Sequence, residues 1–338
     1  MSHGISAVLI SKNESKVIRR CLESLQGLDQ VVVLDTGSTD QTREIAHGLG
    51  ADVVPVGEFW KPFHFAQARN AALQHAKHPW ILTIDADEVL ADKAMGAIRN
   101  AARNTSVHGW KGIHMNFPPG EAANGFPTGR MMLFQSKSWI WNHRIHERLV
   151  GVRPNLKVKP LDGLTVHHLP MAVREERKDQ NIELLRLAIQ EEPKYHFLTL
   201  QLGLEHLNRE EWAEAVPPLE RYTDIGEFDG VLGRAAAFMH LGRALARSGN
   251  LQRAMNAFVV ARQSARDRRE PLYWATVELI RAGCLPDAVQ WLEDALKIAP
   301  LPLPAFSLYS SDLQGTLVED TLAECRRMMA QAEAPRVS

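Results

Sequence analysis

Asp85-Ala86-Asp87 closes the apolar run Trp80-Ile81-Leu82-Thr83-Ile84. Residues two apart on a strand project to the same side, so two carboxylates emerge together where a buried strand meets solvent. Paired hard oxygen ligands suit Mg²⁺ or Mn²⁺ carrying phosphate oxygens. The competing reading is a plain strand end that caps the helix beginning near Asp92, and a D-x-D by itself does not decide between them. A second acidic strand end adds weight: the β-branched run Gln30 to Leu34 ends at Asp35.

Around these acids the first half of the chain alternates strands and helices. Ile5 to Ile10 reads as a strand and Ser15 to Leu25 as a helix. Gln30 to Leu34 is followed by a helix from about Gln41 to His47, and Asp52 to Val56 is the next strand. Phe65 to Ala76 is an Ala-rich helix that leads into the strand Trp80 to Ile84. Strands separated by helices imply βαβ units and a mostly parallel sheet. Ligands on such sheets bind beyond the carboxyl ends of the strands. Lys12-Asn13-Glu14, Asp35 and Asp85-Ala86-Asp87 all fall at those ends.

From about Met171 the strand signals stop and the chain reads as helices that repeat. Gly249 and Gly283 lie thirty-four residues apart, as do Ala254 and Ala288, Phe258 and Leu292, and Ala261 and Ala295. Pro300 follows where a helix pair should end. An earlier copy, Leu202-Gly203, Ala215 and Leu219, is offset by thirty-nine, the extra residues falling in a linker around Gly226 to Gly230. This period, with small residues where two helices cross, is the tetratricopeptide pattern. Such pairs present a surface for a peptide or a neighbouring domain; they supply binding, not chemistry.

The 338 residues are enough for two cores, and Lys plus Arg (39) nearly balance Asp plus Glu (40). That balance gives no large field toward nucleic acid or anionic lipid. Cys21, Cys284 and Cys325 lack metal-ligand spacing and suit packing in a reducing cytoplasm. No stretch approaches the ~20 apolar residues of a membrane span, although peripheral membrane contact stays compatible with the sequence.

Ile5 to Glu88 resembles a family-2 glycosyltransferase of the GT-A type. The resemblance is carried by Leu9-Ile10-Ser11-Lys12-Asn13-Glu14, Arg20-Cys21-Leu22-Glu23-Ser24-Leu25 and Val33-Leu34-Asp35-Thr36-Gly37-Ser38-Thr39-Asp40. Ala68-Arg69-Asn70 and Ile84-Asp85-Ala86-Asp87-Glu88 continue it in order and spacing. A catalytic domain followed by tetratricopeptide repeats looks like the repeat-bearing branch of that family. Arg144-Ile145-His146-Glu147 and His167-His168 match that branch too, while Leu169-Pro170 departs from it. The expected architecture is a GT-A nucleotide-sugar-binding α/β domain over 1–170, with a mostly parallel sheet, and an all-α tetratricopeptide-like domain over 171–338.

For glycosyl transfer these residues have roles that make chemical sense. Asn13, Glu14 and Asp35 would hydrogen-bond the base edge, Asp35 taking the imide proton of a uracil. Arg69 would reach the donor or pair with a strand-end carboxylate. Asp85 would meet ribose or metal, and Asp87 would ligate the Mn²⁺ or Mg²⁺ bridging the diphosphate of a nucleotide-sugar donor. A histidine is a sensible third ligand, His168 rather than His167 by register. Glu147, ahead of Glu88, would take the acceptor's proton, with His146 orienting it; a plain Arg144/Arg148 pairing of Glu147 competes. A single displacement without a nucleophile gives inversion, as the resemblance also implies. Asp40 is expected to cap its helix, and Phe134, Trp139 and Trp141 are expected to pack rather than bind sugar. The stretch from Trp110 to Arg130, with Gly120, Gly125, Gly129, Pro118, Pro119 and Pro127, reads as a long loop, a candidate lid. The acceptor would be a protein or a saccharide- or lipid-linked chain recruited by the repeats. The rival readings are a phosphohydrolase or nucleotidyltransferase using the same acids, and a non-catalytic repeat-based scaffold.

Overall fold

The computed structural model describes residues 3–56, 61–117, 125–169, 175–299 and 316–333. Pro118, Pro119, Gly120, Pro170, Met171 and Pro300 lie outside them. The chain divides into two compact units, Met1–Arg177 and Lys178–Ser338.

The first unit opens with β1 (Ile5–Ser11), α1 (Ile18–Ser24), β2 (Gln30–Asp35), α2 (Thr42–Gly48), β3 (Asp52–Pro55), α3 (Phe65–Gln74) and β4 (Trp80–Thr83). It continues through β5 (Glu88–Leu90), α4 (Ala94–Ala102), β6 (Gly109–Asn116), β7 (Phe126–Gln135), β8 (Trp139–Asn142), β9 (Arg148–Gly151) and β10 (Val158–His168). Eight strands form one sheet in the order β3-β2-β1-β4-β7-β6-β10-β5, and β8 pairs with β9 separately. β1, β2, β3 and β4 are mutually parallel, β7 runs against both β4 and β6, and β10 is parallel to β6.

Both faces of this sheet are covered, which is why its central strands are apolar without alternation. Ala7, Leu9 and Val33 pack on one side with Ile18, Leu22 and Ile98 of the helices. Val8, Val32, Leu34 and Ile81 pack on the other with Ala68 and Ala72 of α3. The stretch from Trp110 to Arg130 corrects the long-loop expectation. Most of it is the antiparallel pair β6–β7, in register from Asn116↔Phe126 back to Gly109↔Phe134. Its glycines and prolines disguised the alternation of buried Trp110, Gly112 and His114 with exposed Lys111 and Ile113.

The second unit is helical: α5 (Glu175–Glu191) begins ahead of it, then come α6 (Phe197–Asn208), α7 (Trp212–Ile225), α8 (Gly230–Arg247), α9 (Leu251–Ser264), α10 (Glu270–Arg281), α11 (Leu285–Leu296) and α12 (Leu317–Glu333). α8–α9 and α10–α11 are the repeating pairs. Gly249 (φ 92°) and Gly283 (φ 76°) make their turns in the left-handed region that favours glycine. Ala254, Phe258, Ala261, Ala288, Leu292 and Ala295 are all fully buried. The close crossing is visible at Gly203 and Gly242. A Cβ there would stand 2.6 Å from Leu219 and 2.9 Å from the Phe258 ring.

Candidate active site

β2, β1 and β4 lie side by side, so Asp35, Lys12-Asn13-Glu14 and Asp85 share one edge of the sheet. Asp35 ends β2 and is buried; its Oδ1 accepts the N–H groups of Gly37 (3.2 Å) and Ser38 (2.9 Å). Arg43 stands 3.8 Å from the same oxygen. Oδ2 is buried and has no hydrogen-bond partner among the described residues. An unmet buried acceptor costs about 1–3 kcal/mol, so a ligand N–H has a prepared place here.

Asn13 latches this edge. With φ 55° it donates its N–H to Ser38 Oγ at 2.9 Å, and its Oδ1 accepts the Thr39 N–H at 2.7 Å. Glu14 donates its N–H to Thr42 Oγ1 at 2.8 Å and opens α1 through its carbonyl, its side chain half-buried. Asp40 departs from the expected capping position: Gln41 precedes α2, while Asp40 accepts N–H groups from both Ser15 and Thr42 at 3.1 Å. It therefore ties the loop after β1 to the start of α2, which lowers its pKa to about 2 despite the opposing effect of burial.

The acids after β4 are held by arginines. Arg69 of α3 donates to Asp85 Oδ1 at 2.8 Å and to Glu147 Oε1 at 2.6 Å. Burial alone would lower the guanidinium pKa, but Asp85 and Glu147 outweigh it and raise it. Its Cζ lies over the Trp141 ring, 4.8 Å from the ring centre. Asn70 fixes that tryptophan, donating to its carbonyl and accepting its N–H, both at 2.8 Å. Trp141 is therefore neither plain packing nor an open sugar platform: its face carries Arg69. Arg130 of β7 stands 3.5 Å from Asp85 and donates to Glu88 at 2.7 Å.

Glu88 is almost inaccessible and serves as an anchor. It also accepts the Asp85 N–H at 2.8 Å and faces His114 Nε2 at 2.6 Å. Burial would raise its pKa, yet Arg130 and His114 hold it well below the usual carboxylate range. Cys21 lies beneath the turn, its Sγ 3.4 Å from the Asp85 carbonyl. Burial, then the charges of Glu88, Asp85 and Asp87, push that thiol up, so it packs as an un-ionised group.

His168 Nε2 stands 3.3 Å from Asp87 Oδ2, whereas His167 packs edge-on against Phe117. Burial opposes protonation of His168, but the bond to Asp87 and the neighbouring acids raise its pKa. Asp85, turned toward two arginines, does not join them, and no group of three or more His, Cys, Asp or Glu among the described residues converges on one metal point. Two donors about 2.1 Å from an octahedral ion stand roughly 3 Å apart, so Asp87 and His168 fit as neighbouring ligands.

Arg144-Ile145-His146-Glu147 forms the turn between β8 and β9. Arg144 donates to the carbonyls of Pro62 (2.9 Å) and Phe63 (2.7 Å) rather than to Glu147. His146 takes φ 53°, and burial lowers its pKa, which favours the neutral ring. Sequence reading missed Arg130 and His114. Their one signal was a charged and a titratable residue on the inward face of strands mistaken for a loop.

Residues 6–145 match the family model described as Glycosyl transferase family 2. A TPR repeat-containing protein of Synechococcus elongatus is 38% identical over 97 residues, 28% of this chain and 23% of that protein. The prophage-derived glycosyltransferase SunS of Bacillus subtilis is 28% identical over 165 residues, 48% of this chain and 39% of that protein. The chain thus spans less than half the length of these curated relatives. Among solved structures, S. aureus TarS matches with a TM-score of 0.41 and 14% identity, over 75% of this chain and 55% of that one. The C-terminal helices form tetratricopeptide-like pairs, and the α/β domain, over residues 6–145, is similar to glycosyl transferase family 2.

Proposed function

We propose that this chain is a metal-dependent, inverting glycosyltransferase moving a sugar from a nucleotide diphosphate sugar, UDP-linked, to a protein or to a saccharide- or lipid-linked acceptor. The observation that carries this reading is the unmet Oδ2 of Asp35, two strands from the Asp85-Ala86-Asp87 turn. Two strand spacings are about 10 Å, the scale that separates a base edge from a diphosphate.

Asp35 would accept the uracil imide proton, with Asn13 and Glu14 bordering the base. Asp85, fixed by Arg69 and Arg130, would face the ribose. Asp87 and His168 would hold Mn²⁺ or Mg²⁺, which supplies Lewis-acid neutralisation of the departing diphosphate. Glu147 keeps one carboxylate oxygen on Arg69, and its other oxygen would take the acceptor's proton. The acceptor oxygen forms its bond to the anomeric carbon as the bond to the diphosphate oxygen breaks on the opposite face, so configuration inverts. His146, its neutral form favoured by burial, would orient Glu147 or the acceptor. The helix pairs would recruit the acceptor, and three free cysteines suit a cytoplasmic enzyme. Among the described residues no helix is long and apolar enough to cross a membrane.

The test is a thermal-shift and UDP-release screen of nucleotide sugars with Mn²⁺, then with chelator. Binding and release that need both the cation and Asp35 support the reading. If Asp87→Asn binds and turns over donor as the parent does, it is wrong.

A further inference from the structure

The metal pair has an unusual support. A histidine that binds metal through one ring nitrogen is ordinarily aimed by a hydrogen bond to the other. Among the described residues no such bond reaches His168 Nδ1. Instead the His168 ring lies against the His114 ring, with centroids 5.4 Å apart and planes 22° from parallel. The sheet register explains the meeting: on β10 and β6, Val166 pairs with His114 and His168 with Asn116, so the two rings are diagonal neighbours.

His114 is itself held on both nitrogens. Its Nε2 is 2.6 Å from Glu88 Oε1, and its Nδ1 is 3.5 Å from Thr128 Oγ1. Glu88 is an ionised acceptor, so the ring proton belongs on Nε2. Arg130 and the Asp85 N–H hold Glu88 from its other oxygen. One buried carboxylate thus grips the turn that carries Asp87 and, through His114, the ring that faces it. From this geometry we infer that Glu88 and His114 are positioning residues for the divalent cation of the proposed reaction: the His114 ring face sets the His168 ring at Asp87. This rests on the reading of Asp87 and His168 as metal ligands.

The experiment is Mn²⁺ binding to the full chain, read by electron paramagnetic resonance of free Mn²⁺ with and without UDP. Parent binding that His168→Ala removes establishes the ligand pair on its own. His114→Ala should then bind Mn²⁺ about tenfold more weakly, the lower end of what an outer-sphere partner contributes. His114→Phe, which keeps a flat ring and discards the Glu88 bond, should recover part of the loss, the remaining deficit reading the share of the Glu88 bond. Circular dichroism melts of both variants identify any that fail to fold. Absence of parent binding, or binding indifferent to His168→Ala, sinks the metal reading and this inference with it. Parent binding lost in His168→Ala but unchanged in His114→Ala overturns this inference alone, as does a folded His114→Phe as weak as His114→Ala.

Discussion

The acidic sheet edge and the helix pairs solve different problems with different contacts. At the sheet edge, charges are taken out of water and must be balanced by partners distant in sequence. Arg69 meets Glu147 across 78 positions, Arg130 meets Glu88 across 42, and His168 meets Asp87 across 81. In the helix pairs the constraint is volume. Gly242 faces Phe258 and Gly203 faces Leu219, each within one helical hairpin. Electrostatic balance depends on the whole topology, steric fit on a local repeat, and the two should therefore fail differently.

The largest expected effect comes from Glu88→Ala, which strands Arg130 and His114 beside an empty site. Breaking a buried pair costs about 3–5 kcal/mol, readable by urea unfolding. A cost below about 1 kcal/mol would mean that the buried charges need no balancing. Next, Asp87→Asn should lower turnover about a hundredfold while leaving the unfolding midpoint in place, since that carboxylate is partly exposed.

Steric fit gives the third comparison. Alanine is favoured over glycine inside helices by about 1 kcal/mol, and Gly96 of α4 has open space around it, so Gly96→Ala should gain that amount. Gly242→Ala and Gly203→Ala should instead lose about 1–3 kcal/mol, because the fully buried Phe258 and Leu219 cannot yield. Equal melting shifts in all three would erase the distinction. The smallest effect is at Asp40. Its folded pKa of about 2 lies below the ordinary value near 3.9, so its contribution is complete above about pH 4 and fades as pH falls through 2. Asp40→Asn should flatten that acid limb and cost about 1 kcal/mol at neutral pH.

The same contrast explains what could be read in advance. Small residues at a fixed period revealed the helix pairs because each repeat carries its own evidence: Ala254 and Ala288 are the same position twice. Apolar runs ending in acid revealed the parallel strands, and Asp35, Arg69 and Asp85 sit at the edge those runs predict. Asn13 was harder, since its carboxamide serves the loop by accepting from Thr39. Arg130 and His114 were hidden by Gly129 and Pro127, which look like loop punctuation although β7 runs through them and pairs with β6. Trp141 needed Arg69 beside it to show its use.

The return of β10 to the acidic turn has a consequence for synthesis. β5 is three residues long and its sheet neighbour is β10, whose His168 stands opposite Glu88. The junction is then sealed when the Leu169 N–H donates to the Asp87 carbonyl and Arg20 donates to the Leu169 carbonyl. A nascent chain that has already emerged past Asp87 still lacks the strand that walls its acidic turn until some eighty further residues follow. Any product truncated ahead of Val158 therefore carries the whole D-x-D signature without His168, the side chain that stands at Asp87.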